Sequence, residues 1–287
     1  MELGYAFARA ALMISKGVKP QVIGSHGQTV WHGPGQHPPN TLQLAEPCVI
    51  AEETGITTIA DFRRRDIAAG GQGAPLVPAF HAAYFRAPDE NRVVLNIGGI
   101  ANVSIVGRGR LWSAFDTGPG NCLMDLAVRL ATRGQAYMDK DGALAGLGLP
   151  DVRKAERMLK HPYFKRRPPK SLDKEFFGEA FLKKNCGLVT PARLPNILAT
   201  LALFTARSIA SAIRAAAPGT IGEMIVSGGG ACNPALMRQL AEAIKPIRIV
   251  RSDIYGLPIM AKEAACFAWL ALRALKGEPN NCPAATG

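Results

Sequence analysis

The sequence predicts an α/β protein with two domains around a cleft, and three observations carry the prediction. The chain has 287 residues, enough for two modest domains, and 48% hydrophobic with 20% charged residues is an ordinary soluble composition. Short β-branched segments alternate along it with stretches of helical periodicity. Glycine-rich turns follow three of the predicted strands. Together these features are typical of α/β folds.

The polar stretch 86–92 marks the predicted domain boundary because a very different apolar run follows it, which gives domains of 1–90 and 91–287. In the first domain, apolar spacing and a stop at Gly17 predict a helix. This helix covers 2–16, and short strands are predicted after it over 21–24, 41–44 and 56–60.

The second predicted domain opens with β-branched strands joined by a glycine turn. The third strand ends at Asp116, and Asn121 is placed to cap the helix that follows. Strands are predicted over 93–97, 100–106, 111–115 and 224–227, and later helices over 195–216 and 262–275.

Composition excludes several classes of protein. The net charge of +12 is spread along the chain without a nucleic-acid-binding signature, so an anionic small substrate or a basic proteome explains it better than DNA or RNA. The six cysteines form no CxxC pair, which argues against zinc and against a disulfide framework. The sequence has no apolar run of about 18 residues and no secretory signal, so a cytoplasmic protein without a membrane partner is expected.

Three glycine-rich turns could bring backbone amides close to a phosphate, at 96–102, 116–121 and 227–233. Any one of them alone is better explained as an ordinary tight turn, but three at strand ends in one domain favour phosphate binding. The sequence contains neither a Walker A motif nor a GxGxxG motif, so a P-loop and a Rossmann site are both unsupported.

Asp116 ends an apolar strand beside glycines, where a partly desolvated carboxylate can act as a general base. An aspartate that closes its own turn explains the position equally well. His26 also ends a strand and favours a substrate contact or a structural hydrogen bond over zinc. The run 61–66 is either an anion clamp or a solvated turn, and the loop 70–75, with Gln72, is a further candidate cleft lining.

Several long stretches of the sequence resemble the anhydro-N-acetylmuramic acid kinases over nearly the whole chain. They are 24–32 (GSHGQTVWH), 61–78 (DFRRRDIAAGGQGAPLVP), 95–104 (LNIGGIANVS), 115–125 (FDTGPGNCLMD), 169–171 (PKS), 226–234 (VSGGGACNP) and 263–268 (EAACFA). The resemblance implies two actin-like ATPase (ribonuclease H-like) domains around a cleft. It also implies an ATP-dependent and Mg²⁺-dependent kinase that opens the 1,6-anhydro ring of its amino sugar and phosphorylates O6 during cell-wall recycling.

The resemblance also implies roles for individual residues. Asp116 matches the aspartate that deprotonates the attacking water, and Glu263 matches an acidic residue near the site. The nucleotide-binding positions are Gly98, Gly99, Asn102, Gly228, Gly229, Gly230 and Asn233. The sugar-binding positions are His26, Gln28, Thr29, Gln72 and Asn121. No metal ligand is assigned, and relatives of this type commonly form homodimers.

The sequence departs from the family pattern at both ends. No counterpart of the leading Gly-Thr-Ser-x-Asp-Gly phosphate loop is found, so the first domain is expected to be incomplete. The final segment is also shorter than in relatives. An alternative interpretation is therefore an inactive remnant that binds a sugar or a partner without transferring phosphate.

Overall fold

A computed structural model describes residues 1–168, 170–172 and 174–286, so Pro169 of the family-like stretch 169–171 lies outside the described residues. The strands are β1 (Ile23–Gly24), β2 (Gln28–Gly33), β3 (Asn40–Leu44), β4 (Thr58–Ile59), β5 (Asn91–Ile97), β6 (Ile100–Gly107), β7 (Arg110–Pro119), β8 (Ile221–Ser227) and β9 (Arg248–Arg251). The helices are α1 (Glu2–Ile14), α2 (Pro47–Thr54), α3 (Phe62–Ala68), α4 (Val77–Tyr84), α5 (Cys122–Ala131), α6 (Ala143–Leu147), α7 (Val152–Leu159), α8 (Glu179–Cys186), α9 (Leu194–Ala216), α10 (Pro234–Ile244), α11 (Lys262–Leu275) and α12 (Pro283–Thr286).

The chain divides into two compact units. Unit 1 comprises Met1–Tyr84 with Ala261–Gly287, and unit 2 comprises Phe85–Met260. The predicted domain of 91–287 differs from unit 2 in its last segment, because α11 packs against β1 and α4 of unit 1. Helical periodicity predicts α11 itself but carries no information about which sheet the helix covers.

Unit 2 is built on a five-stranded sheet in the order β7-β6-β5-β8-β9. β5, β6 and β7 form an antiparallel meander, whereas β8 and β9 run parallel to β5. This mixed arrangement is the strand order of a ribonuclease H-like domain and confirms the predicted α/β fold class. Parallel pairing of β5 with β8 requires a long crossover, which the helices between them provide.

α9 is the central helix of unit 2 and packs against β7, α5, α6, α7 and α10. The segment Pro191–Ala216 is long and apolar enough to cross a membrane by composition alone, but 78% of its most apolar window is buried inside the protein. Core side chains such as Leu198, Phe204 and Ile209 are fully buried there. The helix therefore has the environment of a core helix.

Unit 1 contains two small sheets within residues 1–84 and 261–286. β1 pairs with β4 in parallel, and β2 pairs with β3 in an antiparallel hairpin. α1 packs on α2, and α11 contacts β1, β4 and α4. Gly24 of β1 lies so close to the main chain of Phe267 that a side chain there would collide with its carbonyl group, which fixes β1 against α11.

Candidate active site

A row of polar residues crosses the strands of unit 2 close to the glycine turns. In the sheet register Asp116 of β7 lies opposite Asn102 of β6, Asn102 opposite Asn96 of β5, and Asn96 opposite Ser227 of β8. Residues directly opposite each other share one face of a sheet. The hydroxyl of Ser227 lies 3.4 Å from Asn96 Oδ1 and 3.2 Å from the carbonyl oxygen of Leu95. The sheet therefore brings the candidate base and Asn102 together.

Asp116 is half-buried and held on three sides. Its backbone N–H donates to the carbonyl oxygen of Lys170 at 3.0 Å. Its carboxylate Oδ2 accepts from the backbone N–H of Leu172 at 2.8 Å, and its own carbonyl oxygen accepts from the hydroxyl of Tyr163 at 2.6 Å. The side chain is thus oriented by groups outside its own turn, which favours the base over the turn-closing aspartate.

Burial raises the pKa of Asp116, and the hydrogen bond from Leu172 and the charge of Lys170 oppose this rise. A carboxyl group with a raised pKa is a stronger proton acceptor once it is ionised. The fixed orientation and the raised pKa of Asp116 agree with the general-base hypothesis.

Three glycines of the turns have room for a Cβ at ordinary van der Waals distances. An added Cβ at Gly98 would meet its nearest atom, the carbonyl oxygen of Ile100, only at 3.6 Å, and one at Gly99 would meet Cys122 Cβ at 3.9 Å. At Gly229 the nearest atom is Asn121 Nδ2 at 4.0 Å. The space beside these backbones is available to a ligand, as a phosphate-binding turn requires.

Gly228 and Gly230 have a different reason to be glycine. Gly228 has φ 84° and ψ 169°, and an added Cβ would lie 2.7 Å from the carbonyl oxygen of Ile97. A Cβ at Gly230 would collide with the side chain of Ile97. Both positions let the 228–230 turn pack against the end of β5, so glycine is required there by the packing of the turn itself.

The two asparagines of the turns also differ in what they contact. Asn121 stands at the N-cap position of α5, but the predicted capping bond is absent, and its Nδ2 donates instead to the Ile97 carbonyl oxygen at 3.4 Å. Asn233 is buried and caps α10, its Oδ1 accepting from the N–H of Leu236 at 3.0 Å. The Oδ1 of Asn233 is thus occupied by helix capping.

α9 supports the turn that follows Asp116. The hydroxyl of the buried Thr205 lies 3.0 Å from the carbonyl oxygen of Pro119 and 3.2 Å from that of Gly120. Turn carbonyls buried without a donor would be costly, so this hydroxyl stabilises the turn. The core helix therefore fixes the loop next to the candidate base.

In unit 1 His26 belongs to a hydrogen-bond network with Arg63. Arg63 Nε donates to His26 Nε2 at 2.8 Å, while His26 Nδ1 donates to the carbonyl oxygen of Gly27 at 2.7 Å. Arg63 also donates to the carbonyl oxygen of Gly73 at 2.8 Å. Burial and the charge of Arg63 lower the pKa of His26, which agrees with a neutral imidazole. The contact also shows that Arg63 is an internal residue of this network rather than part of a solvated turn.

The other predicted sugar-binding residues of unit 1 are accessible. Gln28 and Gln72 are exposed, and Glu263 is exposed in the first turn of α11. Thr29 is half-buried, and its hydroxyl accepts from Gln43 Nε2 at 3.3 Å. Burial lowers the pKa of Arg63 as it does that of His26, and the charge of Glu263 opposes both shifts, so this acidic residue acts electrostatically on the same network.

Comparison with known protein families identifies the family of the chain. The family model described as anhydro-N-acetylmuramic acid kinase matches residues 2–287. The chain belongs to this kinase family. It is accordingly an ATP-dependent carbohydrate kinase, and the sequence resemblance is confirmed over essentially the whole chain.

The solved structures that the chain matches share little sequence with it. An activator of the 2-hydroxyisocaproyl-CoA dehydratase from Clostridium difficile with bound ADPNP is 15% identical, with a TM-score of 0.48 over 83% of this chain and 86% of that one. A ROK family glucokinase from Streptomyces griseus in complex with glucose and AMPPNP is 11% identical, with a TM-score of 0.41 over 93% and 86% of the two chains. A ROK hexokinase from Thermus thermophilus is 20% identical, with a TM-score of 0.37 over 94% and 87%.

Several residues around Asp116 could not be identified from the sequence. Asn96 and Ser227 flank the predicted turns, and only the strand register shows that they share a row with Asp116. Tyr163 and Lys170 lie in an aperiodic stretch far along the chain from the aspartate that they contact. The signal available for Lys170 was its place in the family-like stretch 169–171.

Proposed function

We propose that the chain hydrolytically opens 1,6-anhydro-N-acetylmuramic acid and phosphorylates O6, giving N-acetylmuramic acid 6-phosphate. The observation that carries the proposal is the half-buried Asp116, with its raised pKa, in a chain of this family. In the proposed step Asp116 accepts a proton from water as the water oxygen bonds to the anomeric carbon. The bond from that carbon to O6 breaks, O6 takes the γ-phosphoryl group of ATP, and ADP leaves.

The glycine turns of unit 2 are assigned to ATP. Gly98, Gly99 and Gly229 leave room for a Cβ without a collision, and Asn102 lies next to Asp116 in the sheet. Among the described residues no three His, Cys, Asp or Glu side chains are grouped to hold a metal. Mg²⁺ commonly retains water and binds through substrate phosphates with few protein ligands. We therefore assign Mg²⁺ to the nucleotide phosphates.

In unit 1 the sugar contacts are assigned to His26, Gln28, Thr29 and Gln72. Sugar binding by Asn121 of unit 2 stays a prediction. His26 is oriented by its hydrogen bond from Arg63 and by the buried ring of Phe267, whose centroid lies 4.6 Å away at an interplanar angle of 42°. A half-buried polar side chain in a fixed orientation suits a sugar-binding site. We further propose a cytoplasmic enzyme that acts on this small molecule alone, as a homodimer, without nucleic acid or membrane partners.

The products test the reaction. With the anhydro sugar, ATP and Mg²⁺, ³¹P and ¹H NMR are expected to show a sugar that has lost its 1,6-anhydro bridge and is phosphorylated at O6. One ADP is expected for each sugar consumed. N-acetylmuramic acid, which lacks the 1,6-anhydro bridge, is the control acceptor. Equal turnover of the control, or a product that keeps the anhydro bridge, would contradict the coupled mechanism.

A further inference from the structure

Residues 170–172 run alongside the end of β7 and hold Asp116 from both its main chain and its side chain. Asp116 N–H donates to the Lys170 carbonyl oxygen at 3.0 Å, and Leu172 N–H donates to Asp116 Oδ2 at 2.8 Å. The backbone of Lys170 is therefore fixed next to the candidate base, independently of where its side chain points.

Two aromatic rings then fix the Lys170 ammonium. Its Nζ lies 4.7 Å from the ring centroid of Tyr163 and 5.9 Å from that of Phe115. Phe115 precedes Asp116 in β7, and the Tyr163 hydroxyl donates to the Asp116 carbonyl oxygen at 2.6 Å. One ring belongs to the residue before Asp116, and the other is hydrogen-bonded to the main chain of Asp116. The ammonium that they contact therefore lies near Asp116. The ammonium is half-buried, where charges interact more strongly than in water.

We propose that Lys170 is a positioning residue of the reaction: its main chain anchors Asp116, and its ammonium keeps the Asp116 carboxylate ionised so that it can accept the proton of water. This inference rests on the function proposed above and adds a residue to it.

The charged groups around the pair agree with this role. Lys170 lowers the pKa of Asp116 against the effect of burial, and Asp116 in turn raises the pKa of Lys170 against the effects of burial and of Arg166. Tyr163 stays a neutral donor because burial and the charge of Asp116 raise its pKa. Arg166 lies over the ring of Phe176, at 5.2 Å, and its charge weakens proton binding by Lys170.

Lys170→Met and Lys170→Arg form the matched test because both keep a long side chain over the rings and only methionine removes the charge. The acid limb of the plot of kcat against pH is expected to move to higher pH in Lys170→Met. At pH values below that limb, kcat of Lys170→Met is expected to be at least about tenfold lower than kcat of Lys170→Arg. Arginine is expected to restore the wild-type limb. An unchanged limb in Lys170→Met, with wild-type turnover of the sugar intact, would overturn the role of Lys170.

A second measurement needs no turnover. The ¹³C carboxyl resonance of Asp116, assigned by its loss in Asp116→Asn, is titrated in the wild type and in both lysine variants. The carboxyl group of Lys170→Met is expected to titrate at higher pH than the other two. An identical titration in all three proteins would refute the coupling. Absence of sugar turnover with a shifted titration would instead refute only the proposed function.

Discussion

Gly228 and Gly99 both lie in the glycine turns of unit 2, but the structure predicts different consequences for an added methyl group. At Gly228 it is expected to lower stability, and at Gly99 it is expected to weaken ATP binding. Gly228 has φ 84° and ψ 169°, in a region of backbone space that is essentially restricted to glycine. Its added Cβ would also lie 2.7 Å from the carbonyl oxygen of Ile97. The backbone strain and the collision together give an expected loss of about 2–4 kcal/mol in the free energy of unfolding of Gly228→Ala. That loss lowers the melting temperature by roughly 5–15 °C for a unit of this size.

Gly99→Ala is the matched control. Its Cβ would have only Cys122 Cβ within 4 Å, at 3.9 Å, so the expected change in stability is within about 0.5 kcal/mol. The same methyl group would occupy the space assigned to a nucleotide phosphate, and the KM for ATP is expected to rise by at least about tenfold.

Urea unfolding followed by circular dichroism measures the first effect, and coupled turnover measures the second. The reasoning fails if Gly228→Ala unfolds at the wild-type urea concentration. It also fails if Gly99→Ala loses as much stability as Gly228→Ala, since the two glycines would then not differ in kind.

The remaining predictions concern Asp116, Thr205 and Lys262. Asp116→Asn is expected to keep its hydrogen bond from Leu172 and its fold, while kcat falls by about 10²–10⁴-fold; wild-type turnover would exclude the base role. The wild-type acid limb of kcat should lie above the pKa of an ordinary aspartate, because burial raises the pKa of Asp116. Thr205→Val removes the donor to Pro119 and Gly120 and should cost about 1–3 kcal/mol in urea unfolding, with Thr205→Ser largely restoring stability; equal stability of all three proteins would contradict the account. Burial lowers the pKa of Lys262 to about 8, so the unfolded chain binds the extra proton above that pH. The stability of the wild type should therefore rise from about pH 8 toward the ordinary lysine pKa. Lys262→Met should lack this rise, and a parallel rise in the variant would show that another group is responsible.

Local patterns in the sequence were sufficient to predict several strands of unit 2 and the helix α11 of unit 1. The predicted strand 93–97 corresponds to Asn91–Ile97, and the predicted helix 262–275 coincides with Lys262–Leu275. Alternating β-branched residues and helical spacing are local signals, and they do not depend on the rest of the fold. The glycine turns were predicted for the same reason.

Long-range arrangement could not be predicted in this way. The register that places Asn96 and Ser227 in one row with Asp116 depends on pairing between strands far apart in sequence. The contacts of Lys170 depend on a stretch without periodicity that folds back along β7. Packing of α11 in unit 1 is likewise a property of the assembled sheets, which explains why 91–287 was predicted as one domain.

The roles of the glycines also separate only in three dimensions. The sequence alone does not distinguish the roles of Gly228, Gly229 and Gly230, which are consecutive residues of one motif. The structure has room for a Cβ at Gly229, and it requires glycine at Gly228 and Gly230 because of the neighbouring Ile97. A sequence motif therefore identifies the turn, while the coordinates identify which of its residues can approach a ligand.

The most direct test of the central claim is ATP consumption by the purified 287-residue chain in a coupled assay with Mg²⁺ and 1,6-anhydro-N-acetylmuramic acid. The account predicts ADP release that depends on the anhydro sugar and is lost in Asp116→Asn. Isothermal titration with the same sugar accompanies the assay. Binding of the sugar by the folded chain without any sugar-dependent ADP release would contradict the claim and support a sugar-binding protein that does not transfer phosphate.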